Sequence, residues 1–385
     1  MKKKICHVIT RFINGGAEEN TMLTCNYSIK LGDNVTLIIG KETNKEILYK
    51  LSKKIKVIKI NNLVRDIDPI KDILAFFEIK RIFNKLKPDI VHTHESKAGI
   101  LGRIAAKISR VNIIVHTVHI LPFVNVKYYK KYFYILIEKL TSYITDKFIC
   151  VSKGMLIESL KFKIGNKEKY KIIHSGFDIK KFKYTKKEPK IIKINEYNKN
   201  PKKFKLILMM GAFEERKRQI EFLHIFKKII KIFDKTILVF VGSGKLLNKT
   251  KRLSSDLGLK KRVYFSGFRN DPEKFISLSD ICVMNSVREG LPKVVPQYYS
   301  AGKPVISTNL PGIQEIISHS KNGYIYNPYK QNELFKILKL LLEKPEELKK
   351  ITKNAKKTNV SKWSHIKMPI KINDLYDELL NDHYK

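Results

Sequence analysis

No stretch of about eighteen apolar residues free of charge occurs in the chain, so no membrane-spanning helix is expected. Cysteine is scarce: Cys6, Cys25, Cys150 and Cys282 stand far apart in apolar segments, without a CxxC pair or a Cys/His cluster. That pattern argues against a structural zinc site and for four reduced thiols in a core. Low-complexity tracts are missing, and no internal repeat is visible at sequence level. Negative charge is also in short supply, with 36 acidic residues against 77 basic ones and a net charge of +41. Such a potential favours polyanions: nucleic acid, anionic lipid or phosphorylated ligands. The lysines are spread along the chain rather than clustered, and no zinc-finger, RNA-recognition or homeodomain pattern appears, so nucleic acid is not an expected partner. A general lysine bias and attachment to an anionic membrane face both remain open. The N-terminal "MKKKICHVITRF" begins like a signal peptide, but its apolar stretch is short and contains His7, and no small-residue cleavage site follows. It reads as a buried first strand. The expected location is the cytoplasm, with peripheral attachment to the inner face of the cytoplasmic membrane as the reading that the charge suggests.

What is present is periodic apolar sequence, enough over 385 residues for two cores. Strands are expected at 5–10, 34–40, 55–60, 89–94, 112–120 and 146–152, separated by helices at 18–31, 72–86, 97–109 and 127–144. Around 179–203 the periodicity fades and Lys, Asn and Pro accumulate, which reads as a boundary. The pattern restarts with strands at 204–211, 236–244, 262–267, 280–286 and 304–309, with helices near 218–232 and from Pro292. Alternating strands and helices imply two doubly wound parallel sheets in tandem, with ligands expected at the carboxyl ends of strands in a cleft between the domains. A last helix is expected at 364–382. The expected domains are 1–180, 200–362 and a C-terminal helix, 363–385, packing back on the first.

Several segments could carry chemistry. In "TRFINGGAEEN", Gly15 and Gly16 could let backbone N–H groups approach an anion, or simply make a tight turn. "VGSGK" (241–245) lacks the third glycine of a dinucleotide fingerprint, with Leu247 in its place, so a dehydrogenase is poorly supported. Arg216, Lys217 and Arg218 gather at the head of a helix, where cations oppose the dipole and an anion between them would compensate. His92 and His94 share one strand face and could resemble metal ligands, but no carboxylate completes a set; with His116 they read equally as hydrogen-bonded histidines at a sheet edge. His119, at the mouth of its strand, is the histidine favoured for substrate contact. In "SVREGLPKVVPQYYSAGKPV" (286–305), Glu289 lies on a loop, Pro292 suits a first helical turn and Gln297 follows on the helix. The carboxylate could accept bonds from sugar or ribose hydroxyls, and the Gly290–Leu291 turn offers N–H groups to phosphates.

Together "GGAE", "DIVHTHESKAGILGRIAA", "HTVH", "FICVSKGM", "IIHSGFD", "GAFEERK", "VYFSGFRND", "SDICVMNSVREGLPKVVPQYYSAGKPVISTNLPGIQEII" and "NGYIY" resemble glycosyltransferase family 4, in order, from about residue 5 to 345. The resemblance implies a GT-B fold of two Rossmann-like domains facing a cleft, a nucleotide-sugar donor and transfer with retained anomeric configuration. It implies that Glu289 holds hydroxyls of the transferred sugar and that Lys217, with Arg216 beside it, neutralises the departing diphosphate. His119 would lie beside the sugar and Gly15 and Gly16 near the diphosphate, while Gly312 and Ile313 would cap the donor. Two departures stand out: Gln297 replaces the family's ribose-binding acid, and Ala212 replaces a common arginine. Cations and N–H dipoles facing the leaving group supply the stabilisation that the reaction needs. With that stabilisation in place no metal is needed, so neither metal nor cofactor is expected.

The segment 123–144 interleaves aromatics with lysines, which reads as a core helix with a solvated face or as a membrane-docking helix. With the net charge, it points to a glycan or lipid-linked acceptor in surface polysaccharide, lipopolysaccharide or glycolipid assembly. Two rival classes are a nonhydrolysing nucleotide-sugar epimerase of the same fold and a basic nucleic-acid-binding protein. The first needs acids placed for proton abstraction, and none is assigned. The second predicts steeply salt-dependent oligonucleotide binding that ignores Glu289.

Overall fold

Short apolar strands, each followed by a helix-length segment, cannot close tight hairpins, so successive strands pair in parallel through right-handed crossovers. The computed structural model describes residues 2–124 and 126–384 and divides into two units. One comprises the chain up to Gly176 together with the part from Lys362 onward; the other is Phe177–Ser361.

The first unit holds β1 (Lys4–Ile9), β2 (Asn34–Ile39), β3 (Lys56–Lys59), β4 (Ile90–His94), β5 (Ile113–Val118), β6 (Lys147–Cys150) and β7 (Tyr170–Ile172). Its helices are α1 (Gly16–Lys30), α2 (Lys45–Leu48), α3 (Pro69–Leu86), α4 (Ser96–Ile108), α5 (Tyr128–Tyr143), α6 (Lys153–Lys161) and, from the far end of the chain, α15 (Lys367–Tyr384). The parallel sheet runs β3-β2-β1-β4-β5-β6-β7, so its direction of growth reverses between β1 and β4. Loops diverge at such a switch point and leave room for ligands. β4 and β5 are buried along their whole length, as strands covered on both faces must be. α15 closes one face, packing Met368, Ile372, Leu375 and Tyr376 against Ile5, Ile90 and Val115.

The second unit holds β8 (Lys205–Met210), β9 (Thr236–Val241), β10 (Val263–Phe265), β11 (Ile281–Met284), β12 (Val305–Thr308) and β13 (Gly323–Tyr326). Around them lie α7 (Ile179–Lys183), α8 (Asn195–Lys199), α9 (Gln219–Ile230), α10 (Leu247–Asp256), α11 (Pro272–Leu278), α12 (Val294–Ser300), α13 (Gln331–Glu343) and α14 (Pro345–Lys356). The parallel order is β10-β9-β8-β11-β12-β13.

The stretch 179–203, expected as a boundary, is instead structured and belongs to the second unit. Phe182, Ile192, Ile194 and Tyr197 are buried, and Lys181 Nζ lies 3.2 Å from the Glu273 carboxylate. Its apolar anchors follow no period, so periodicity could not register them. All four cysteines are free and buried, and burial pushes the Cys282 thiol up to about 12. Among the described residues no helix is long and apolar enough to cross a membrane.

Candidate active site

In the second unit two loops leave the carboxyl ends of the adjacent strands β8 and β11, and hydrogen bonds join them. The Val287 N–H donates to the Arg216 carbonyl at 2.8 Å, and the Arg216 guanidinium donates to the Arg288 carbonyl at 3.2 Å. The β8 loop also lies against the β9 loop. A Cβ on Gly242 would come within 2.1 Å of the Gly211 carbonyl oxygen, and one on Gly244 within 2.7 Å of the Phe213 backbone. This close approach of backbones explains both glycines of "VGSGK" as parts of a structural turn.

Charge converges on Glu289, which is 8% exposed. Lys217 Nζ lies 2.6 Å from Glu289 Oε1, and the Arg216 guanidinium donates to the same oxygen. Arg216 Nε also donates to Glu214 Oε2 at 2.9 Å. Burial alone would raise the Glu289 carboxyl, but Lys217 and Arg216 outweigh it and hold it below the ordinary carboxylate value. Burial pulls the Lys217 ammonium down against the opposing pull of Glu289. The expected cluster of three cations is two. Arg218, at φ +61°, turns away to pair with Glu221 at 3.1 Å and to donate to the Pro328 carbonyl.

Gly290 and Leu291 are buried on the same loop as Glu289. Gln297 sits half-buried on α12, and its side-chain amide has no hydrogen-bond partner among the described residues. Gly312 takes φ +84°, a conformation that favours glycine. The Ile313 N–H, expected to face the donor, is committed to the Leu310 carbonyl at 3.1 Å, so its amide is spent within the turn.

In the first unit Gly15 precedes α1 in an extended conformation and Gly16 begins the helix. The space that a Cβ would take on Gly15 is filled by the Glu18 carboxylate, an acid the sequence reading did not single out. His119 follows β5, half-buried, with Nε2 3.2 Å from His94 Nδ1. His92 and His94 do share a strand face, but β4 lies at the centre of the sheet and not at an edge. His92 is hydrogen-bonded through both nitrogens, to the Tyr376 hydroxyl at 2.5 Å and the Thr117 hydroxyl at 2.7 Å. His116 faces the other side and meets Thr93 Oγ1 at 2.9 Å.

Residues 190–358 match the family described as Glycosyl transferases group 1, and residues 15–152 match the one described as Glycosyl transferase 4-like. Over 345 residues the chain is 30% identical to an Escherichia coli enzyme named UDP-Gal:alpha-D-GlcNAc-diphosphoundecaprenol alpha-1,3-galactosyltransferase, covering 86% of each chain. The chain belongs to glycosyltransferase family 4. A Staphylococcus aureus relative, the capsular polysaccharide biosynthesis glycosyltransferase CapM, is 24% identical over 83% of this chain and 84% of its own. Anabaena Alr3699/HepE, solved in complex with UDP-glucose, superposes with a TM-score of 0.77 at 19% identity, covering 97% of this chain and 100% of that one. The fold of this glycosyltransferase is therefore GT-B, two Rossmann-like domains.

At Ala212, one of the departures, the carbonyl accepts from the Gln219 side chain at 2.9 Å. His7 lies buried on β1, paired in register with His92. An imidazole inside an otherwise apolar parallel strand must find a hydrogen-bond partner, and that was the available signal. Glu95, just past β4, holds φ +60° and ψ 170°, a region that non-glycine residues rarely enter. Burial raises its carboxyl, against the pull of Arg11, whose backbone N–H it accepts at 3.3 Å. Nothing in the sequence pattern announces that strain.

Proposed function

We propose that this glycosyltransferase moves a sugar from a nucleotide-sugar donor to a glycan or lipid-linked acceptor, retaining the anomeric configuration, in surface polysaccharide or glycolipid assembly. The observation that carries the reading is the buried Glu289 carboxylate flanked by Lys217 and Arg216 at the strand carboxyl ends. Breaking a glycosyl–phosphate bond leaves negative charge on the departing diphosphate, and fixed cations stabilise that charge as it develops. A diphosphate arriving beside Lys217 and Arg216 would compete for them, freeing Glu289 to accept hydroxyl hydrogen bonds from the sugar. These two cations supply the charge that a divalent metal would otherwise bring, so the proposed transfer is metal-independent and uses no cofactor. Gln297 would meet the ribose as a neutral donor and acceptor, and His119 would meet the transferred sugar. The E. coli relative, named for a UDP-galactose donor and a diphosphoundecaprenol-linked acceptor, and the UDP-glucose complex of HepE make UDP-sugars the first donors to try. The experiment is transfer from a UDP-sugar panel to a diphosphoundecaprenol-linked acceptor, with excess chelator and NMR of the product anomer. An inverted product, complete loss with chelator, or epimerisation of the donor without acceptor would each contradict the proposal.

The acceptor side carries a second part of the reading, contact with an anionic membrane. α5 exposes Tyr128, Tyr129, Tyr132, Phe133, Leu136, Leu140 and Tyr143, with Lys127 and Lys130 beside them. α3, which the sequence reading had not marked for this, exposes Ile70, Ile73, Leu74 and Phe77 at helical spacing. α4 packs between the two, and right-handed crossovers put all three helices on one sheet face. Exposed apolar side chains among lysines match the chemistry of an anionic lipid surface. Co-sedimentation should favour phosphatidylglycerol vesicles over phosphatidylcholine ones and weaken with salt, and the double change Tyr132→Ser with Phe133→Ser should reduce it. Equal binding to both vesicle types would remove the membrane from the account.

A further inference from the structure

The loop between β8 and α9 carries Arg216 and Lys217, and buried amides hold both of its ends. Gln219 donates to the Ala212 carbonyl at 2.9 Å, and Asn285 Nδ2 donates to the Arg218 carbonyl at 3.0 Å. Asn285 is fully buried directly after β11, on the segment that leads to Glu289. Arg218 is the strained point of the loop. Its φ of +61° and ψ of 40° lie in the left-handed region, which costs a residue with a Cβ about 1–2 kcal/mol. That one residue turns the chain from a 3-10 turn over Glu215–Lys217 into α9, so the direction in which Lys217 leaves the backbone depends on it.

Such a conformation persists only where its surroundings over-determine it, and here a network closes on Arg218 from two sides. Asn285 Oδ1 accepts from the Tyr326 hydroxyl and from Gln331 Nε2, the latter at 3.2 Å. Gln331 Nε2 also donates to the Pro328 carbonyl at 2.9 Å, and the Arg218 guanidinium donates to that same carbonyl. The Arg218 carbonyl in turn accepts from Asn285 and from the Phe222 N–H at 3.2 Å, the bond that opens α9. A backbone carbonyl can only accept, so the Asn285 nitrogen must face Arg218 and its oxygen Tyr326 and Gln331. We propose that Asn285 is a positioning residue for the transfer: by holding the Arg218 carbonyl it fixes the left-handed turn, and with it the place of Lys217 Nζ beside Glu289. The proposal rests on reading Lys217 as the cation that faces the departing diphosphate. A misplacement of about 1 Å at a reacting group can cost about a hundredfold in rate, so a buried amide behind the loop can govern the chemistry in front of it.

Asn285→Asp is the discriminating change. It keeps an acceptor for Tyr326 and Gln331 and replaces only the donor, setting a carboxylate oxygen against the Arg218 carbonyl. A crystal structure of the full-length variant should show Lys217 Nζ moved away from Glu289 Oε1. With a UDP-sugar and the diphosphoundecaprenol-linked acceptor, kcat should fall about tenfold, the equivalent of one net hydrogen bond. Added to Lys217→Ala, the same change should lower kcat by less than about twofold, because residues that act through one another are not additive. Tyr326→Phe removes a bond behind Asn285 and should show the same coupling with a smaller fall. Tyr324→Phe is the control: it breaks the 2.9 Å bond to Glu347 in the same domain, away from the loop, and should lower the melting temperature without moving kcat. An unmoved Lys217 in the folded Asn285→Asp variant, or a fall in kcat that persists in full without Lys217, would overturn the proposal. If Asn285→Asp does not fold, Tyr326→Phe carries the same two readouts. The place of Lys217 is read without any transfer assay, so the proposal can fail while the proposed function stands; Lys217→Ala transferring at the unsubstituted rate is the failure of that function.

Discussion

Lys217 and Arg216 place two positive charges on one oxygen of Glu289, so substitutions here can separate stability from rate. Glu289→Gln keeps the shape and removes the charge, leaving the Lys217 ammonium buried without its counter-ion. Breaking a buried pair in this way costs about 3 kcal/mol. Lys217→Ala removes the cation instead, and Glu289 keeps Arg216, so the fold should lose less. The rate should lose more, because the charge facing the leaving group has gone; about a hundredfold in kcat is the scale for removing one preorganised stabilising group. Denaturant melts and initial rates on the two variants should therefore rank them in opposite orders. Lys217→Ala transferring at the unsubstituted rate would remove Lys217 from the chemistry.

Among the elements, the strands were the most legible, because β1, β5, β8 and β9 are mostly apolar runs bounded by turn residues. Long helices such as α3 and α5 were legible from their spacing. β7 and β13 were not read as strands: Lys171 interrupts the apolar run of the first and Gly323 opens the second. α6, α10, α11, α13 and α14 were not assigned either, although α14 is introduced by Pro345 and an acidic first turn. In the candidate site, Glu289, Lys217 and Arg216 were legible as residues, but their convergence on one oxygen was not, because that depends on β8 lying beside β11. The role of α15 was legible as a location and illegible in its chemistry. Its Tyr376 hydroxyl meets His92 Nδ1, an atom nearly three hundred residues away in the chain. Tyr376→Phe keeps the packing and strands that nitrogen, so the first domain should lose about 1–3 kcal/mol. His92 is buried and spends both nitrogens on hydroxyls, so kcat should barely change in that variant. A large fall in kcat with an unchanged melting point would give His92 a part in the reaction instead.

Across the whole molecule the histidines and the acid cluster make stability depend on pH in the same direction. His7, His92, His94 and His116 are buried and held below the ordinary histidine value of about 6.5, chiefly by burial. An unfolded chain takes up protons at these residues near pH 6.5, whereas the folded chain resists until lower pH, about 3 for His7. Within that window the unfolded state binds more protons, so stability falls as pH falls, by up to about 1.4 kcal/mol per pH unit for each histidine. Glu289 adds to the loss lower down. Its folded value lies below 4.5, so the stability from its pairing is complete above that pH and disappears as pH drops through the folded value. The four histidines all belong to the first domain, whereas Glu289 belongs to the second. The single tryptophan, Trp363, lies buried in the first domain against His174, so its fluorescence follows that domain. The denaturant midpoint read from Trp363 should therefore begin to fall below about pH 6.5, before carboxylates titrate. A midpoint that stayed level from about pH 7 to 5 would mean that the buried imidazoles take up protons within the folded protein, contrary to the burial that holds them neutral.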